Sequence, residues 1–200
     1  MKLYHFKNAR STRVRWLLEE LGVAHEIVPV DLAAGEQRSP DHLKRHPHGA
    51  IPVLVVGTST LIESAAIVLH LADTHHEKKL APRVGSAERA KYYQFILYAA
   101  ATVDPALATI FAHGVKLPPE KRSAELLRDA TERFDTAARF LSGALAGGQF
   151  LLESEFSAAD VTIGWDIAFA HSLKLLDAHP ALRSYFERLS ARPAFQRAYA

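Results

Sequence analysis

Residues 50–73, AIPVLVVGTSTLIESAAIVLHLAD, constrain this chain more than any other stretch. Ile51 to Val56 is a short β-branched apolar run, followed by the turn-forming residues Gly57-Thr58-Ser59-Thr60. Leu61-Ile62 resumes the sheet, and Glu63-Ser64 stands before the helical run that starts Ala65-Ala66-Ile67-Val68. The pattern predicts strand, turn, strand, helix. Pro52 has no N–H for a sheet ladder, so it marks an edge or a special bend and leaves the Ile51 N–H and C=O free for an extended ligand. Ser64 is placed to cap the helix, where unpaired N–H groups and the positive end of the dipole receive a carboxylate. Most capping serines only cap, and most strand prolines only guard an edge. The combination at this spacing carries the information.

The preceding residues supply the rest of a small α/β unit. Lys2 to Phe6 reads as a first strand and Lys7 to Ser11 as a polar connection. Val14, Leu17, Leu18 and Leu21 then fall on one helical face, closed by Gly22. His25 to Leu32 is a second strand, 35–39 a loop, and Pro40 to Leu43 a short helical turn. The order is β-α-β followed by β-β-α. Glu77 to Ser86 is polar, contains Pro82 and Gly85, and reads as a linker, giving domains at 1–78 and 87–200.

The second domain reads as all helical. Ser86 opens a long helix with Tyr92, Phe95, Ile96, Ala99 and Val103 on its apolar side and Pro105 as a kink or break. Pro118-Pro119 begins another, lined by Leu127, Phe134, Ala138, Leu141 and Leu145 and ended by Gly147-Gly148. Ser157-Ala158-Ala159-Asp160 is a capping box with Asp for the usual Glu or Gln, flanked by a Phe156–Val161 staple. The helix it starts is apolar nearly all round and is expected at the domain's centre, with Asp160 structural. Pro180 and Pro193 begin two short terminal helices.

Composition narrows the function classes. A formal charge of +2 without a Lys/Arg block argues against nucleic acid as a partner. The absence of cysteine excludes disulfides, Cys-ligated zinc and a cysteine nucleophile, and fits a reducing compartment. No signal-peptide pattern precedes the first strand, and uninterrupted apolar runs fall short of the ~20 residues of a membrane helix, so a cytoplasmic, membrane-free protein is expected. The eleven histidines form only two close groupings, His46-Pro47-His48 and His75-His76, and neither has a third ligand at zinc spacing. Solvated loop histidines, and no metal, are expected.

Gly49-Ala50-Ile51-Pro52-Val53-Leu54 followed by Glu63-Ser64-Ala65-Ala66-Ile67 resembles the glutathione S-transferase family, bacterial cytosolic members included, and the resemblance runs through essentially the whole chain. It implies an α/β, thioredoxin-like N-terminal domain that binds glutathione, an all-α C-terminal domain and a homodimer. Glu63 and Ser64 then match the residues that hold the γ-glutamyl end, and Ile51, before Pro52, the one whose main chain pairs with the cysteinyl unit. Gln37 and Arg38 match positions that reach the glycyl carboxylate. Ala50 departs from relatives with Lys or Gln there, which removes one contact to the peptide.

Alignment through Arg13-Val14-x-Trp16-Leu17-Leu18-Glu19-Glu20 puts Asn8 where serine-type members carry their activating serine and Arg10 where cysteine-type members carry cysteine. Tyr4 aligns with the tyrosine of tyrosine-type members. The loop is similar to that of bacterial and fungal members reading N-x-S-R-S-x-R, which implies Asn8 or Ser11 as the thiolate donor, ranked level, with Tyr4 behind. Ser11 has a second reading as the cap of the first helix, and Tyr4 as a packed strand residue. Tyr98 and Thr102 are candidates for an acceptor pocket. The implied activity is glutathione transfer to an electrophilic small molecule, with glutathione as cosubstrate. The alternatives are a non-catalytic glutathione-fold carrier and a glutathione-dependent peroxidase or isomerase.

Overall fold

A computed structural model of the chain describes residues 1–152 and 155–200. The chain divides into two compact units, Met1–Ala81 with Ser190–Ala200, and Pro82–Leu189.

The first unit holds a four-stranded sheet in the order β2-β1-β3-β4, built from β1 (Lys2–His5), β2 (Glu26–Pro29), β3 (Val53–Val56) and β4 (Ser59–Ile62). β1 runs parallel to β2 and antiparallel to β3, and β3 pairs antiparallel with β4. Pro52 lies just outside β3 behind a cis Ile51–Pro52 peptide, so the strand begins one residue after it. The expected four-residue turn is tighter: Val56 pairs with Ser59, leaving only Gly57 and Thr58 between the strands, with Gly57 left-handed at φ +57°.

Helices α1 (Ser11–Leu21), α2 (Pro40–Leu43) and α3 (Ser64–Thr74) complete the α/β part. Gly22 terminates α1 at φ +66°, its N–H shared by the Glu19 and Leu18 carbonyls, as a left-handed C′ glycine does. Leu3, Leu54, Val14, Leu17, Leu18, Ile67, Val68 and Leu71 are buried together as the core. The terminal helix α9 (Pro193–Tyr199) belongs to this unit and packs on α1. Phe195 meets Trp16 edge to face at 4.9 Å. Arg192 grips Glu20 with two bonds of 2.7 and 2.9 Å, and Arg197 reaches Glu19 at 2.7 Å. A linear reading puts this helix in the second domain; Trp16, Glu19 and Glu20, the partners just named, are on α1.

The second unit contains α4 (Ala87–Tyr98), α5 (Asp104–Phe111), α6 (Ala124–Ala144), α7 (Ala158–Ser172) and α8 (Pro180–Ser190). Pro105 does not break the first of these: a π-helical turn at Ala99–Val103 carries the chain from α4 into α5, and a second follows at Ala112–Lys116. A wider turn accommodates the proline ring and its missing N–H. The continuous run Ala87–Lys116 is long and apolar enough to cross a membrane by length and composition, unlike any uninterrupted apolar stretch. Tyr92, Phe95, Ile96, Val103 and Leu107 within it are buried in the unit's core, while Leu97 and Val115 are exposed.

Pro118-Pro119 does not start α6. It forms a 3-10 turn, Pro119–Lys121, and α6 begins behind Ser123, whose hydroxyl accepts the Leu126 N–H. At the head of α7 the capping box forms as expected. Asp160, fully buried, accepts from the Ser157 N–H and hydroxyl, the Leu151 N–H and the Tyr185 hydroxyl at 2.8–3.0 Å.

Candidate functional site

β1 and the loop behind it set the first group of candidates. Strand alternation sends Leu3 and His5 into the core and Tyr4 to the opposite face. There the Tyr4 ring meets His42 of α2 at 5.9 Å, edge to face, with the Arg45 guanidinium 4.8 Å above it. Tyr4 is thus packed against α2.

The loop that follows turns at Asn8, left-handed at φ +64°, a conformation asparagine tolerates better than most side chains. Ala9 N–H bonds the Phe6 carbonyl and Thr12 N–H bonds the Ala9 carbonyl, so the turn is closed by its own backbone. Asn8 is exposed at its tip.

Ser11 is neither exposed nor a cap. Arg10 occupies the N-cap position of α1, and no side chain caps that helix. The Ser11 hydroxyl is fully buried, 2.9 Å from His5 Nδ1, and it bonds both the Phe6 N–H and the Phe6 carbonyl at 3.1 Å. It ties β1 to α1 and frames the loop from behind. Burial, with Arg15 adding to it, lowers the His5 pKa to about 4, so the imidazole facing Ser11 is neutral.

The second group lies on the segment that leads into β3 and on the 3-10 turn beside it. Gly49 is left-handed at φ +58°, and a Cβ there would lie 2.8 Å from the Gln37 carbonyl and 3.0 Å from Arg38 Cδ. Only glycine lets position 49 lie this close to the 3-10 turn Glu36–Arg38, and this sets Gln37 and Arg38 against Gly49, two residues before Ile51. His42, itself buried, bonds the Ala50 carbonyl through Nε2 at 2.8 Å and fixes the same segment to α2. Among the described residues, no hydrogen bond uses the Ile51 N–H or C=O. Val53 pairs with Ile62, so Pro52 and Glu63 are the residues that flank this last pair on the two strands.

Glu63, not Ser64, is the N-cap of α3. It sits at φ +68° and ψ 107° with an exposed side chain and makes no capping bond. A non-glycine residue held there stores about 1–3 kcal/mol, and such residues cluster at ligand clamps. Ser64 is the first helical residue, nearly buried, and its hydroxyl accepts from Nη1 of the fully buried Arg13 at 3.2 Å. Sequence reasoning assigned no role to Arg13, His42 or Gly49. The signal for Arg13 was present: it lies four residues before Leu17, a charge on the buried face of α1.

In the second unit, Tyr98 packs on Phe140 at 4.9 Å and burial raises its pKa, while Thr102 is exposed on the first π turn. A cavity of about 480 Å³ lies between α4 and α6, lined by Lys91, Gln94, Phe95, Arg139, Phe140 and Leu151. Neither Tyr98 nor Thr102 lines it. Among the described residues no group of three or more His, Asp or Glu side chains gathers to hold a metal ion. His46 is buried, with burial lowering its pKa, so the expectation of solvated loop histidines fails for it.

Two family models match this chain: the glutathione S-transferase N-terminal domain over residues 1–73 and the C-terminal domain over 123–188. A zeta-class glutathione S-transferase from Euphorbia esula is 30% identical over 203 residues, covering 99% of this chain and 89% of its own. The bacterial transferase BphK, solved as a ternary complex, superposes with a TM-score of 0.89 at 28% identity, covering 100% of this chain and 98% of its own. A sphingomonad enzyme solved with glutathione superposes with a TM-score of 0.87 at 29% identity, covering 100% and 97%. With both domain models matched in order and the likeness sustained from end to end, the chain belongs to the glutathione S-transferase family.

Proposed function

We propose that this enzyme binds glutathione in its first unit and activates its thiol for attack on an electrophilic small molecule. One observation carries the reading. The Ile51 main chain leads into β3, whose Val53 pairs with Ile62 just before the Glu63–Ser64 entry to α3, and Gly49, two residues before Ile51, lies against the Gln37–Arg38 turn, so that each group can match one part of the tripeptide. Ile51 offers an N–H and C=O to the cysteinyl unit in the manner of an added strand. The head of α3 offers donors and a positive dipole end to the γ-glutamyl carboxylate, and the exposed Glu63 carboxylate faces its ammonium. Gln37 and the exposed Arg38 serve the glycyl carboxylate.

Thiol activation has a definite size. An unperturbed thiol has a pKa of about 8.5, and lowering it by two units requires about 2.7 kcal/mol in favour of the thiolate. We assign the donor role to the Asn8 carboxamide, supported by the uncapped N-terminus of α1. Ser11, engaged by His5 and Phe6, keeps the loop in shape, and Tyr4 is a packed strand residue. The acceptor is apolar, with Tyr98 and Thr102 as its candidate contacts. A homodimer and a cytoplasmic location complete the reading.

Retention on immobilised glutathione followed by turnover of a chloronitroaromatic acceptor tests it. Retention with turnover is the expected result. Retention without turnover indicates a carrier, and loss of retention removes the proposed site.

A further inference from the structure

The reading of Ser64 as a γ-glutamyl contact leaves a question about its hydroxyl. Ser64 is 6% exposed, yet among the described residues its O–H donates to none, while its oxygen receives the Arg13 Nη1 proton. A hydroxyl has one proton to give and lone pairs to fill. With a guanidinium N–H filling the acceptor side, the remaining proton is turned away from Arg13. Arg13 itself is fully buried on α1, 51 positions away in sequence, and α1 packs directly on α3. The first turn of α3 has no side-chain cap, so its N–H groups face the same place.

We infer that Arg13 is a positioning residue for glutathione: its Nη1–H holds the Ser64 oxygen so that the Ser64 hydroxyl proton is presented to the γ-glutamyl α-carboxylate at the head of α3. Arg13 does not touch the ligand. It acts through Ser64, fixing a rotor that would otherwise spend its proton elsewhere, and its buried positive charge strengthens that donation across the hydroxyl. This inference rests on the proposed binding of glutathione, and it specifies which end of the tripeptide Arg13 serves.

The test is a double-variant cycle read by titration calorimetry, with glutathione and with an analogue lacking the γ-glutamyl α-carboxylate, 4-aminobutyryl-cysteinyl-glycine. Ser64→Ala and Arg13→Met should each weaken glutathione about tenfold, and the double variant should be no weaker than about tenfold. The analogue should bind the Arg13 variant as it binds the unmodified protein. A roughly hundredfold loss in the double variant, or an equal loss with the analogue, overturns the inference. If Arg13→Met does not fold, Arg13→Lys carries the test. A loss present with Ser64 and absent in the Ser64→Ala background supports the inference, and either no loss or one that persists without Ser64 overturns it. Unchanged glutathione binding in Ser64→Ala would instead remove the binding reading on which the inference stands.

Discussion

Glu63 is held at φ +68° without glycine's freedom to be there, next to the serine that opens α3. Glu63→Gly should raise stability by about 1 kcal/mol in thermal melts, because the strain is relieved, and weaken glutathione binding. A melting temperature unchanged or lowered would show the backbone unstrained. His5 carries a pH prediction. Its pKa is near 4 when folded against 6.5 unfolded, so the unfolded chain binds the proton more tightly. The contribution is present in full above pH 6.5 and is lost as pH falls toward 4, about 3 kcal/mol over that window. Denaturant titrations should show His5→Leu with a flatter stability profile between those limits, and parallel profiles would contradict it. At this scale the sequence was partly legible. Glu63, Ser64 and Ile51 stood out because a proline and a helix start mark them. Ser11 did not reveal its role, because a serine reads alike whether it faces a ligand or is buried against His5.

In the first unit α1 holds the site loop, and in the second unit α7 is the central helix. α1 presents the Asn8 loop at one end and is clamped along its length by α9 through Trp16–Phe195 and Glu20–Arg192. α7 is anchored at its head by Asp160. Asp160→Ala removes a cap worth about 1 kcal/mol and strands buried donors at about 1–3 kcal/mol each, so a loss of several kcal/mol is expected in chemical denaturation. Activity at temperatures where the variant is folded should be normal. A stable but inactive variant would contradict a structural role. The capping box and the central helix were readable because both are local patterns. The partner of α9 was not: a helical period shows which face is buried and leaves open what buries it. The π turn at Pro105 was equally hidden, since proline in a helix signals a distortion without stating its form.

At the scale of the molecule, both domain types were legible from the order of elements, while the regrouping of residues 190–200 with the first unit came from long-range contacts. A homodimer predicts a sedimentation mass twice the 22.1 kDa of the chain, and a single-chain mass would remove that part of the proposal. The central claim, that the loop before α1 lowers the thiol pKa through Asn8, is tested most directly by ultraviolet titration of the thiolate in bound glutathione. The unmodified protein should show a thiolate near neutral pH, and Asn8→Ala should raise its pKa by roughly one to two units, each unit being 1.36 kcal/mol. Tyr4→Phe should leave it in place. A large rise in Tyr4→Phe with Asn8→Ala unaffected would contradict the account and make this a tyrosine-type enzyme.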